Sequence, residues 1–244
     1  MNIGLLFFTY AADAPLLALA LQAVPRLQAQ GHTITAYVVD DAAAPLPAPP
    51  AGTVYRQSSF DRCGNLNGLA CITGMASVYA ELAPAHDWLL KADCDTFVNH
   101  LQWLDAVDPA TVGIVGSIHC NKHVSGACYA VSAAGAAVLD KQLADPLWQG
   151  RATRAHCEDR YFYNALRMEG LALGRDNTAN IIHPHLLHHD WYINGNQSLS
   201  ALPTAAAVDF KACRWGRPQN QWEADRSTAL TRMNQYLETL NIKH

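Results

Sequence analysis

The chain has 244 residues, half of them apolar and 16% charged, with a formal net charge of −4. That balance excludes an intrinsically disordered chain and a nucleic-acid binder that works through a strongly basic face, while a local basic pocket for a phosphate stays compatible with it. The seven cysteines are odd in number and form no Cys-x-x-Cys pair, so reduced, mostly core cysteines in a cytoplasmic protein are expected rather than disulfides.

The apolar opening "MNIGLLFFTYAADAPLLALALQAVPRL" lacks a basic leader and is interrupted by Asp13 and Pro15, so it is not read as a secretory signal. No run reaches the ~18 uninterrupted apolar residues of a membrane span. Ile3 to Tyr10 reads as a continuously apolar strand of the kind buried in a parallel sheet. Asp13 is placed to cap a helix running to about Gln30, with Pro25 as its kink or end. Gly31 closes that unit, and "HTITAYVVDD" gives a second strand ending at Asp40 and Asp41. Strand, helix and strand in this order open an α/β unit. The proline-rich "AAAPLPAPPAG" is read as a surface loop, not a domain linker.

Between Asn65 and Leu82, the positions Leu69, Ile72, Met75 and Tyr79 recur at helical spacing. Gly68 and Gly74 within it either admit a close approach by backbone or ligand or simply suit helix packing. A strand from Trp88 to Ala92 leads into "KADCDTFVN", with Asn99 placed to cap a short helix through Trp103 and Leu104. "TVGIVGSI" and "GACYAVS" read as strands, and "AAGAAVLDKQLA" as a helix after the second. "CEDRYFYNALRMEG" reads as a helix with two acids in its first turn and Gly170 beyond its end. After "NIIHPHLLHHDWYING" a polar loop region is expected. A final amphipathic helix then carries Leu230, Met233, Leu237 and Leu240 on one face. There is no internal repeat, and one α/β domain is the simplest organisation.

Three constellations carry chemistry. Asp93 and Asp95, two apart in an extended segment, project to one side and offer oxygen ligands to a hard cation such as Mg²⁺ or Mn²⁺. The competing reading is a polar turn in which each carboxylate bonds nearby backbone N–H groups. His183, His185, His188 and His189 crowd "HPHLLHHD", where Pro184 favours an extended His183 that projects with His185. Clustered imidazoles are candidate Zn²⁺ or Mn²⁺ ligands, against ordinary histidines held by backbone hydrogen bonds. Glu158 and Asp159 open a helix, where acids are favoured by the macrodipole; a carboxylate in a cleft could equally act as general base. "HCNKH", with His119, Cys120 and His123, has the residue types for zinc, but nothing nearby in sequence completes four ligands. No phosphate-binding Gly-x-x-x-x-Gly-Lys-Ser loop and no Gly-x-Ser-x-Gly elbow occur.

The ordered segments "DWLLKADCDTFVN", "SGACYAVSAAGAAVL", "CEDRYFYNAL" and "IIHPHLL" resemble a GT-A fold glycosyltransferase, nearest to the Fringe-like and β1,3-galactosyltransferase-like family. The likeness spans roughly Asp87 to His189. Cys94 departs from it where an acid is usual, Cys128 where a glycine is usual, and the membrane anchor and paired cysteines of the animal enzymes are lacking. The resemblance implies an α/β fold with a mixed, mostly parallel central sheet flanked by helices, as a single GT-A domain over residues 1–244. Residues 1–100 would bind the nucleotide-sugar, 101–200 would form the acceptor and catalytic half, and 201–244 a C-terminal extension with a helix. It further implies a Mn²⁺- or Mg²⁺-dependent enzyme that moves a sugar from a nucleotide-sugar, a UDP-sugar foremost, to a carbohydrate or glycoconjugate hydroxyl. Asp95 would bind the metal, Asp93 the metal or the donor ribose, and His185 would be the imidazole ligand, with His183, His188 and His189 as substitutes. Asp159 would be the catalytic base of an inverting reaction, with Glu158 its substitute. Thr9, Tyr10, Asp40 and Asp41 would lie near the nucleotide. Alternatives are a retaining enzyme of the same fold, a metal-dependent hydrolase built on the 183–190 histidines, or a sugar-nucleotide binder without activity.

Overall fold

The computed structural model describes residues 1–60, 68–119, 123–155, 157–172, 187–189, 205–210 and 222–242. Its strands are β1 (Asn2–Thr9), β2 (Thr33–Asp41), β3 (Val54–Ser58), β4 (Trp88–Ala92), β5 (Thr96–Val98), β6 (Ile114–His119), β7 (His123–Val131), β8 (Leu187–His189) and β9 (Ala207–Asp209). Its helices are α1 (Ala14–Ala20), α2 (Ala23–Ala29), α3 (Gly68–Leu82), α4 (Ala133–Leu143), α5 (Pro146–Thr153), α6 (Glu158–Met168) and α7 (Trp222–Thr239). A six-stranded sheet runs in the order β3-β2-β1-β4-β7-β6, and a three-stranded one in the order β5-β9-β8. In the larger sheet β1, β2, β3 and β4 are parallel, whereas β7 runs antiparallel to both β4 and β6.

The apolar run of β1 is explained by its central place, because both faces of the strand are covered. Successive side chains alternate between two cores. Ile3, Leu5 and Phe7 join Leu16, Leu17, Leu27 and Tyr236 on one face. Leu6 and Phe8 join Ile72, Met75, Tyr79 and Phe162 on the other. Helices thus cover both faces of a mixed, mostly parallel sheet, as the sequence reading expects. Among the described residues, no helix is long and apolar enough to cross a membrane.

Several local expectations are corrected. The helix expected from Asp13 to Gln30 is two helices, α1 and α2. Pro25 does not break it; it stands in the first turn of α2, where a missing N–H removes no intrahelical bond. Asp13 occupies the cap position of α1 but makes no capping bond. Its carboxylate instead accepts from Arg226 Nε of α7 at 3.3 Å. Asn99 caps nothing either: it donates to the Ala205 carbonyl at 2.9 Å and accepts from the Tyr236 hydroxyl at 2.8 Å. The region expected as a polar loop includes the buried segment Ala205–Phe210, whose β9 pairs with β5. The α3 glycines admit close neighbours: a Cβ on Gly68 would lie 2.1 Å from the Ala152 backbone carbonyl oxygen, and one on Gly74 would lie 2.8 Å from the Phe60 side-chain Cβ. β3 and α5 are additions to the sequence reading, and α5 begins with Asp145 accepting from the Leu147 N–H at 2.8 Å.

Candidate active site

Parallel pairing brings the sequence-selected residues of β1, β2 and β4 to one edge of the sheet. Thr9 pairs with Asp40, and Leu6 pairs with Lys91. Thr9 and Tyr10, Asp40 and Asp41, and Asp93 and Asp95 therefore follow one another at the carboxyl ends of adjacent strands. Ligands bind at that edge in open α/β sheets.

The groups there are not equivalent. Asp40 is fully buried, and its Oδ2 accepts from the Leu46 N–H at 2.7 Å and the Tyr55 hydroxyl at 2.6 Å. That carboxylate ties β3 and the 42–46 segment to β2. Asp41 Oδ1 accepts from the Ala43 N–H at 3.0 Å. The Tyr10 hydroxyl accepts from Arg226, whose guanidinium also lies 5.2 Å from the Tyr10 ring centroid. The C-terminal helix is thereby fastened to the end of β1.

Lys91 is the feature that sequence reasoning missed. It sits in β4 with only 1% of its surface exposed, two residues before Asp93 and so on the same side of the strand. Its ammonium donates to Asp93 Oδ1 at 2.6 Å and to the Gly126 carbonyl of β7, and it lies 3.4 Å from Glu158 Oε1 of α6. The Tyr129 ring is 5.6 Å away. One buried cation therefore joins the acidic segment after β4, the antiparallel strand β7 and the first turn of α6. A lysine inside the otherwise apolar "WLLKA" was the available signal: such a charge stays buried only with partners.

The two acids that open α6 separate by neighbour. Glu158 meets Lys91. Asp159 lies over Gly126, where a Cβ would come within 2.9 Å of its Oδ2; only a residue without a side chain leaves the carboxylate that room. Asp159 Oδ1 accepts from the Arg160 N–H at 2.6 Å, and Oδ2 is 3.8 Å from His123 Nε2. Both acids are buried. Burial, then the neighbouring Asp159 carboxylate, pushes the Cys157 thiol well above its ordinary range. Burial likewise raises Cys128, behind Lys91 on β7, to about 12. Both thiols stay protonated near neutral pH.

The extended segment expected for Asp93 and Asp95 is instead a turn closed by the Thr96 N–H, which donates to the Asp93 carbonyl at 2.9 Å; the two carboxylates still offer the oxygen chemistry that a hard divalent cation takes. Asp95 is nearly buried at 9% exposure, and its carbonyl accepts from the Phe210 N–H at 2.9 Å. The expected imidazole ligand, His185, lies outside the described residues, as does His183. His188 and His189 belong to β8, where His189 pairs with Asp209, which in turn pairs with Thr96. The end of the histidine-rich segment thus runs two strand spacings, roughly 10 Å, from the strand that starts directly after Asp95.

No protein-family model matches the chain, and no curated protein sequence does. Solved structures do match. The galactosyltransferase LgtC, crystallised with donor and acceptor sugar analogs, superposes with a TM-score of 0.54 at 12% identity, over 95% of this chain and 96% of that one. The glycosyltransferase GlyE of Streptococcus pneumoniae TIGR4 gives 0.53 at 12% identity, over all of this chain but 65% of that one. A glycosyltransferase involved in glycosylation of the major capsid of PBCV-1 gives 0.53 at 12% identity, over 93% and 98%. At such identity the likeness is one of fold, and the expected GT-A-like α/β architecture is the observed one.

Proposed function

We propose that the chain is a glycosyltransferase that moves a sugar from a nucleotide-sugar, a UDP-sugar foremost, to a carbohydrate hydroxyl. The observation that carries this reading is the Lys91 junction, which joins Asp93 and Glu158 from distant segments at the carboxyl end of β4, with Asp159 next to Glu158 in the first turn of α6. Asp93, Asp95 and His185 would hold Mn²⁺ or Mg²⁺, and a cation so held neutralises charge on a departing diphosphate. Lys91 holds Asp93 from behind the site and keeps Glu158 occupied, so Glu158 serves position and Asp159 serves chemistry. The Asp159 carboxylate, oriented by the Arg160 N–H, takes the proton of the attacking acceptor hydroxyl. Attack from that face inverts the anomeric carbon. The closer likeness to the Fringe-like family rests on the four ordered segments; two of them are supported by Gly126 and the Glu158-Asp159 pair, which meet in space. The odd number of cysteines, with no Cys-x-x-Cys pair among them, suits a reducing compartment, the cytoplasm.

Replacing Asp159 with Asn tests the assignment. Turnover should fall by about 10²–10⁴, the usual contribution of a general base, while the affinity for UDP stays close to wild type. Transfer that survives the substitution, or a product of retained configuration, assigns the base elsewhere.

A further inference from the structure

The "HCNKH" segment has the residue types of a zinc site but no neighbours in sequence to complete one. The fold supplies partners from another segment. His123 begins β7, Cys157 stands at the cap position of α6 and Asp159 lies in its first turn. Ligand atoms of the three all fall within 4.8 Å of one another, with His123 Nε2 and Asp159 Oδ2 at 3.8 Å. Zinc bonded to sulfur, nitrogen and oxygen at about 2.0–2.3 Å sets tetrahedral ligand atoms roughly 3.3–3.8 Å apart. The three side chains therefore stand one small adjustment from the face of such a tetrahedron.

The donor chemistry is selective. Sulfur and imidazole suit zinc, whereas the carboxylates of Asp93 and Asp95 suit Mg²⁺ or Mn²⁺. A supporting bond is already formed, from the Arg160 N–H to Asp159 Oδ1, of the kind that orients a ligand around a bound metal. His123 and Cys157 are each only partly buried, which leaves an entry path.

We infer that His123, Cys157 and Asp159 form a three-ligand zinc site whose occupation removes Asp159 from catalysis; the second half rests on the base assignment proposed above. Binding exchanges the Cys157 thiol proton for the metal, and the proton leaves to solvent as the thiolate–zinc bond forms. The fourth position goes to water. Asp159 Oδ2, now bonded to zinc, no longer accepts a proton from an acceptor hydroxyl. A reaction that uses a hard cation at Asp95, as proposed above, is thereby inhibited by a softer one beside Asp159.

Co²⁺ and Zn²⁺ are the probes. Titrating the metal-free protein with Co²⁺ should develop a thiolate-to-cobalt absorption band that saturates at one equivalent and is displaced by Zn²⁺. Cys157→Ser should lose the band. Zinc affinity, measured by competition with a chromophoric chelator, should drop in Cys157→Ser and His123→Ala by more than the ~10–100-fold that an outer-shell partner costs. No band in the wild type, or a band that persists in Cys157→Ser, overturns the site. With Mn²⁺ saturating, added Zn²⁺ should suppress sugar transfer by the wild type and spare Cys157→Ser, each compared with its own zinc-free rate. Transfer by wild type that ignores zinc despite the band overturns the inhibition. A band with no transfer under any condition supports the site and counts against the proposed function instead.

Discussion

Lys91 shows how one side chain organises the candidate site. An ammonium with 1% exposure is tolerated because Asp93, Glu158 and the Gly126 carbonyl replace its hydration. Replacing it with apolar atoms alone leaves two carboxylates facing each other without a cation. Lys91→Met should therefore destabilise the protein by about 3–5 kcal/mol, the cost of removing one partner of a buried pair, read from urea midpoints at unchanged slope. Adding Glu158→Gln to that variant should recover part of the loss. A midpoint that stays at the wild-type value means that Lys91 is spectator to the junction. At this scale the sequence was partly legible. The i, i+2 spacing of Asp93 and Asp95 and the acids of α6 pointed to two segments that the fold joins through Lys91. What it left open was which of Glu158 and Asp159 meets a cation, because that depends on a lysine more than sixty residues away in the chain.

The elements themselves follow from local pattern more than from any special residue. β1, β2 and β4 were readable as short apolar runs of the kind buried on both faces, and α3, α4, α6 and α7 as helical patterns of apolar positions or helix-end residues. β3 was not, because an edge strand with exposed and half-buried residues carries little hydrophobic pattern. The β5–β9 pairing was not, because it joins short segments more than a hundred residues apart and no local signal reports a partner at that range. Close packing of α3 against α5 explains a position where helix propensity gives the wrong sign. Propensity favours Ala over Gly by about 1 kcal/mol. A Cβ on Gly68, however, would lie 2.1 Å from the Ala152 carbonyl oxygen and 2.8 Å from that of Ala155, and backbone cannot rotate away as a side chain can. Gly68→Ala should lower stability by roughly 1–3 kcal/mol through overpacking. A thermal midpoint at or above wild type would show that α5 yields to the added methyl.

For the molecule as a whole, topology does what sequence proximity cannot. The strand order places β4 between β1 and the antiparallel β7, so the residues after β4 meet the start of β7, and α6 lays its first turn over both. Segments around residues 91–95, 123–126 and 157–159 come into contact there. Their order along the chain was legible as a family resemblance; their geometry was not, since it depends on the crossover of β7 and on Gly126 leaving room for Asp159. The solved structures at 12% identity share this fold and leave the chemistry to be tested. A concavity of about 420 Å³ lined by Trp148, Arg151, Arg154, Arg160 and Tyr161 lies along α5 and α6 and is not where the acids converge, so it is not taken as the reaction centre. The central claim is that the acidic end of β4 holds a metal and the diphosphate of a nucleotide-sugar. Its most direct test is calorimetric titration of UDP into wild type and Asp95→Asn, each with and without Mn²⁺. Mn²⁺-dependent binding should appear in the wild type and be lost in Asp95→Asn, with the ligand-free thermal midpoint of the variant unchanged. Binding of equal strength with and without Mn²⁺, or undiminished in Asp95→Asn, would contradict the claim.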